Sequence, residues 1–110
     1  MDFLVIDDDK VFREATCALI EDDGHHADTA ANAEVALALL REDRFDAALL
    51  DLNLGRENGL TVLPEVLKLR PGLPVVMFSA ESTVKSAVKA LQLGAVDFLE
   101  NQGTRDQFHA

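Results

Sequence analysis

Three apolar runs, residues 3–6, 47–50 and 75–78, end on residues able to do chemistry: Asp7 and Asp8 after the first, Asp51 after the second, Ser79 after the third. Near-continuous apolar runs of this kind are strands buried on both faces of a parallel sheet. All carboxyl ends of such a sheet lie along one edge, and ligands bind outside that edge where strand order reverses. The spacing therefore predicts three carboxylates and a hydroxyl gathered at one rim. Crowded carboxylates do not all stay ionised without compensation, and a carboxylate such as Asp51, continuing a buried run, needs a partner or a ligand. A hard cation supplies both: Mg²⁺ takes oxygen ligands, keeps several waters and is held by few carboxylates together with phosphate oxygens. The predicted site binds Mg²⁺ and an incoming phosphoryl group.

Other residues with chemical potential have plainer roles. Asp9 sits where a helix N-cap belongs, and Asp favours such positions for its local hydrogen bonds. His25 and His26 follow a helix stop, with neither a Cys pair nor a His one turn away to complete a metal site. Cys17 lies on a helix with Arg13 as its only nearby cation, which makes it a space filler rather than a reactive thiol. No glycine-rich phosphate loop is present, so nucleotide binding is disfavoured.

The elements that must carry the rim alternate as β and α. Besides the three strong strands, residues 26–30 and 97–99 are weaker mixed runs that read as sheet-edge strands. Phe12, Ala15, Thr16 and Leu19 fall at helical spacing, as do Ala33, Ala36, Leu37 and Leu40, and Val84, Ala87, Val88 and Leu91. Asp9, Asn32 and Ser82 stand at N-cap positions, and Gly24 and Gly94 where helices stop. Residues 59–68 also read as helical, with Pro64 predicting a late start or a bend. Thr104 and Gln107 form a capping box that opens a fifth helix over 104–110, short or incomplete, truncated or displaced, leaving one flank of the sheet poorly covered.

At 110 residues the chain is one domain, 1–110, given about 100–200 residues per domain. Ten Lys plus Arg against twenty Asp plus Glu give a net charge of −10, which repels the phosphate backbone and argues against direct nucleic-acid contact. One cysteine makes no internal disulfide and points to a reducing compartment, the cytoplasm. No apolar run approaches the length that crosses a bilayer, and the N-terminus lacks a signal-peptide layout, so no membrane role is expected.

Four segments then stand out together: Phe3-Leu4-Val5-Ile6-Asp7-Asp8-Asp9; Leu49-Leu50-Asp51-Leu52-Asn53-Leu54 followed by Asn58-Gly59-Leu60; Pro74-Val75-Val76-Met77-Phe78-Ser79-Ala80; and Gly94-Ala95-Val96-Asp97-Phe98-Leu99. In this order and spacing the chain resembles the receiver domain of bacterial two-component response regulators. The resemblance implies a doubly wound five-stranded parallel α/β sheet of order 2-1-3-4-5, flavodoxin-like. It implies that Asp51 accepts a phosphoryl group from a histidine kinase or phosphotransfer protein, by self-catalysed acceptance and slow hydrolysis rather than as an enzyme. Asp8, Asp51 and the backbone carbonyl of Asn53 would bind Mg²⁺, with Asp7 holding metal-bound water. Ser79 would hydrogen-bond the phosphoryl oxygen, and Phe98 would be the switch aromatic. Phosphorylation would act on an output domain or partner, as in transcription regulators, with a homodimer through the fourth helix and fifth strand or through the uncovered C-terminal flank.

One departure stands against the resemblance. Asn101 and Gln102 occupy the positions where the family has Lys and then Pro. A neutral amide replaces a charge-assisted hydrogen bond with a weaker one, and without Pro little favours a cis bond. Arg56 and Lys85, near the site loops in sequence, are candidate substitutes for the missing cation. The alternative reading is a pseudo-receiver, an interaction module with a disabled switch. An aspartyl-nucleophile phosphatase is the third, disfavoured because its second Asp is replaced here by Asn53.

Overall fold

A computed structural model describes residues 1–80 and 83–100. The described chain runs β1 (Asp2–Ile6), α1 (Lys10–Asp22), β2 (His26–Ala30), α2 (Ala33–Glu42), β3 (Ala47–Asp51), β4 (Asn53–Leu54), β5 (Glu57–Asn58), α3 (Gly59–Leu69), β6 (Val75–Ser79), α4 (Val84–Gln92) and β7 (Asp97–Glu100). Five strands form one parallel sheet in the order β2-β1-β3-β6-β7. Counting its strands alone, this is the 2-1-3-4-5 order of the doubly wound fold, with the weak runs β2 and β7 at the edges. The short antiparallel β4–β5 ribbon is additional.

Alternation along the strands divides the side chains between two layers. Leu4, Ile6, Ala48, Leu50, Val75 and Met77 point to one face, where they pack with Ala36, Leu40, Val62, Leu63, Val66 and Ala90 of α2, α3 and α4. Val5 and Phe78 point to the other face, beneath α1, where the rings of Phe12 and Phe78 lie 5.1 Å apart. No residue of α1 is fully buried.

Most helix boundaries follow from local chemistry. Asp9 accepts from the amides of Val11 and Phe12, and Asn32 accepts from that of Val35. Gly24 and Gly94 take φ of +87° and +112°, a region that costs glycine nothing and other residues dearly. Three expectations are corrected. The helix around Pro64 does not start late: Asn58 caps it at Gly59, and Pro64 lies within it on the exposed side. The cap of α4 is Thr83, which accepts from the Ser86 amide at 3.0 Å; Ser82 lies outside the described residues.

The third correction concerns helix faces. In α1 the inward side is Phe12, Arg13, Thr16, Cys17 and Ile20, while Ala15 and Leu19 face solvent. In α4 most of the apolar stripe points outward, with Val84 82%, Val88 46% and Leu91 50% exposed. The proposed helix over 104–110, together with Asn101 and Gln102, lies outside the described residues.

Candidate functional site

The carboxyl ends of β1, β3 and β6 are held level by register: Ile6 pairs with Leu50, and Asp51 with Phe78. Asp7 continues β1, its amide donating to the Ala30 carbonyl at 3.0 Å, and is only 2% exposed. Its carboxylate accepts the Asp9 amide at 2.9 Å. Asp9 turns the other way to cap α1, so the consecutive aspartates divide between site and helix. Asp8 is exposed and Asp51 half-buried; oxygens of Asp7, Asp8 and Asp51 all lie within 4.8 Å of one another.

The segment after Asp51 fixes the opposite wall. The Asn53 amide donates to Asp51 Oδ1 at 3.2 Å. The chain then reverses through β4–β5 about Gly55, whose φ is +63° and whose missing Cβ would stand 3.4 Å from Asp8 Oδ2. Glu57 ties this ribbon to the next layer by accepting the Ala33 amide at the start of α2, at 3.2 Å. A Cβ at Gly59 would collide with the Asp51 carbonyl oxygen and reach 2.9 Å from Met77 Cε. Only glycine lets the first turn of α3 dock directly under Asp51, where the Gly59 amide donates to the Leu52 carbonyl at 2.6 Å.

Phe12 and Ala80 complete a cleft of about 350 Å³ whose floor is the carboxylate cluster. Ser79, with 0% exposure, ends β6 beside it. A cleft of similar size at the other end of the strands, between residues 44–46 and 69–74, holds no comparable cluster of ligating groups among the described residues.

Electrostatics mark the site as short of positive charge. Burial pushes the Asp51 carboxyl up to about 7, against the lowering effect of the Asn53 amide, with the charges of Asp7 and Asp8 adding to the rise. Burial likewise raises Asp7, opposed by the Asp9 amide and by a hydrogen bond with Asp51. Among the described residues no Lys or Arg side chain forms an ion pair with any of the three. Arg13 donates instead to the Asp7 backbone carbonyl at 2.8 Å. Hard oxygen donors carrying surplus negative charge are a set that can hold a metal ion.

The remaining candidates fall elsewhere. Phe98, half-buried on β7 opposite Met77, packs against the core rather than lining the cleft. Arg56 is exposed in the turn of the ribbon, and Lys85 borders a separate depression with Leu60 and Val88, so neither lines the carboxylate cleft. His25 stacks edge-on against Phe3, and His26 pairs with Asp28 at 3.1 Å. Burial, with the charges of Glu21 and Asp28, pushes the Cys17 thiol up, away from a reactive thiolate.

Comparison with known proteins bears on this arrangement directly. The sequence profile of the response regulator receiver domain matches residues 3–110. The chain belongs to the response regulator receiver family. The receiver is 40% identical over 104 residues to the alginate biosynthesis transcriptional regulatory protein AlgB of Pseudomonas aeruginosa, covering 94% of the chain but 23% of that protein. It therefore spans under a quarter of the length of this curated relative. Among solved structures, it superposes at a TM-score of 0.86 and 30% identity on a response regulator from Burkholderia pseudomallei crystallised with a phosphorylated aspartic acid, calcium ion and citrate, covering 90% of this chain and 58% of that one. The beryllofluoride-activated NtrC4 receiver domain dimer gives a TM-score of 0.85 at 29% identity, covering 90% of this receiver and 82% of that chain.

Arg13, Gly55, Glu57 and Gly59 are the parts of the site for which no role was read from sequence. Gly59 carried a signal, a glycine immediately after a capping Asn58, and Gly55 another, a glycine two residues past Asn53. Arg13 and Glu57 carried none, because their partners are backbone groups that no side-chain pattern reveals. Among the described residues no helix of the receiver is long and apolar enough to cross a membrane.

Proposed function

We propose that this receiver accepts a phosphoryl group on Asp51, from a histidine kinase or phosphotransfer protein, with Mg²⁺ bound by Asp8, Asp51 and the backbone carbonyl of Asn53. The observation that carries this reading is the convergence of Asp7, Asp8 and Asp51 within 4.8 Å at the end of a sheet whose next strand ends in buried Ser79. When bound, Mg²⁺ offsets the negative charge of the transferring phosphoryl oxygens. The chain's own groups do the rest. Asp51 is the nucleophile and, as a carboxylate, needs no general base. Burial and its acidic neighbours raise its pKa to about 7, so a cation held by Asp8 and Asp51 would favour the ionised, nucleophilic carboxylate. The Asn53 amide fixes the orientation of the carboxylate. Asp7, its carboxylate held by the Asp9 amide, would accept from water on a bound metal. Ser79 hydrogen-bonds a phosphoryl oxygen, and Phe98, on the neighbouring strand, changes orientation with it.

The outward stripe of Val84, Val88 and Leu91 on α4, beside β7, supports self-association of the phosphorylated receiver through the fourth helix and last strand. The phosphorylated aspartate of the Burkholderia pseudomallei relative and the NtrC4 dimer lend this reading support. The signal then passes to an output domain, of the transcriptional kind carried by AlgB-like proteins, in the cytoplasm. A second reading rests on Asn101 and Gln102: phosphoryl acceptance persists, because metal and nucleophile groups are present, while transmission to the α4–β7 surface is poor. Incubation with acetyl phosphate and Mg²⁺ tests acceptance. An acid-stable, alkali-labile adduct on the wild type and none on Asp51→Ala is the expected result. Absence of both adduct and Mg²⁺ binding leaves only an interaction module, and a normal adduct without self-association favours the uncoupled form.

A further inference from the structure

The turn between β1 and α1 carries two of the three clustered carboxylates, and its restraints can be traced. The Asp7 amide is fixed by Ala30, and its carboxylate accepts the Asp9 amide. Its carbonyl receives Arg13 Nη1 at 2.8 Å. Arg13 lies one turn into the helix that Asp9 caps, its own amide donating to the Asp9 carbonyl at 2.9 Å, and its side chain reaches back along the half-buried side of α1. The guanidinium thus spans the turn from helix to strand end. It binds backbone and, among the described residues, forms no ion pair with Asp7, Asp8 or Asp51.

We propose that Arg13 is a positioning residue for the metal site, a clamp that holds the Asp7–Asp8 turn closed against the mutual repulsion of the carboxylates. The proposal rests on the reading of the cluster as a Mg²⁺ and phosphoryl site. Three carboxylates within 4.8 Å drive each other apart when no cation is bound, and exposed Asp8 is the one free to swing out. A turn that opens must be closed again at the expense of metal affinity. A planar, permanently charged and weakly hydrated guanidinium is suited to gripping a partly buried carbonyl. Because it grips the carbonyl, it leaves the carboxylate oxygens open to metal; a cation paired with the oxygens themselves would compete for them.

The clamp and the charge of Arg13 act in opposite directions, which makes the idea testable by sign. Positive charge near a cation site weakens metal binding by Coulomb repulsion. A tether that preorganises the ligands strengthens it. Mg²⁺ affinity of the full chain is measured by calorimetry for wild type, Arg13→Met, Arg13→Gln and Arg13→Lys. The rate of phosphoryl uptake from acetyl phosphate is followed by intact mass across a Mg²⁺ series, with thermal unfolding alongside.

Losing a charge-assisted hydrogen bond should weaken Mg²⁺ binding about tenfold in Arg13→Met. Uptake should slow at low Mg²⁺ and return to the wild-type rate at saturation, with Arg13→Lys recovering part of the affinity. Unchanged or tighter Mg²⁺ binding in folded Arg13→Met overturns the proposal, as does a rate deficit that saturating Mg²⁺ leaves in place. A purely structural role would lower the unfolding temperature while sparing affinity. If Arg13→Met does not fold, Arg13→Gln decides, because it removes the charge and is too short to span the turn: unchanged or tighter Mg²⁺ binding there refutes the clamp. Failure of the wild type itself to bind Mg²⁺ or gain phosphoryl mass sinks the functional reading before any variant is compared, and the clamp with it.

Discussion

Replacing Asp51 with Asn should stabilise the metal-free receiver, and the size of the effect follows from the site. In the folded chain the Asp51 carboxyl is displaced from 3.8 to about 7, first by burial and then by its acidic neighbours. At low pH both folded and unfolded chains hold the proton and the group costs nothing. As pH rises from about 4 towards 7 the unfolded chain releases the proton more readily, so stability falls across that window and stays reduced above it. At about 1.4 kcal/mol per pH unit the ceiling is about 4 kcal/mol. Asp51 is only half-buried, and solvent screening brings the expected gain from Asp51→Asn to about 1–2 kcal/mol. Mg²⁺ bound at the cluster should reverse the order, because a ligand that binds the folded state alone adds about 2.7 kcal/mol at a hundredfold excess over Kd, and Asn would be a poorer ligand. The chain has no Trp or Tyr, so urea unfolding is followed by far-UV circular dichroism at about pH 4 and pH 8, with chelator or with Mg²⁺. A metal-free variant less stable than wild type at about pH 8, or a gap just as large at about pH 4, would refute the electrostatic argument.

Four further outcomes are expected. Ser79→Ala removes a fully buried hydroxyl; it should cost about 1 kcal/mol of stability and slow phosphoryl uptake about tenfold while calorimetry finds Mg²⁺ affinity intact. Gly59→Ala forces a Cβ into the Asp51 carbonyl, and denaturant melts should register a loss of about 3 kcal/mol or more, the range of strained or overpacked sites. Asn58→Ala deletes the side-chain cap on the Leu60 amide, a 2.8 Å bond, and thermal melts should show about 1 kcal/mol lost. Val88→Asp on the outward stripe of α4 should leave stability within about 0.5 kcal/mol but abolish phosphorylation-dependent dimers in light scattering.

Asp7, Asp8, Asp51 and Ser79 were legible because each ends a doubly buried run, and parallel pairing brings run ends together whatever their separation in sequence. Strand order came through the resemblance. Periodicity was a poorer guide to helix faces. It locates an apolar stripe but not which neighbour the stripe meets: in α2 it met the sheet, through Ala33, Ala36 and Leu40, while in α4 most of it faced solvent. The β4–β5 ribbon escaped because two-residue strands have no period to detect. Pro64 misled over where α3 starts, because it stands on the exposed side and the helix runs through it from Gly59. Arg13 and Glu57 were invisible because each binds the main chain, Arg13 across its own turn and Glu57 in a distant element.

The helix on which the acidic turn is built, α1, buries none of its side chains completely. Helical amides exchange with solvent at the rate their packing permits, and the least packed segment opens first. In deuterium-exchange experiments α1 should therefore label well before β1, β3 or β6, through openings that need no global unfolding. Ligation at the cluster would then be read most sensitively along α1, as slowed labelling from Val11 onward. Occupancy of the carboxylate cluster would then be a variable that sets the firmness of a whole surface of the domain.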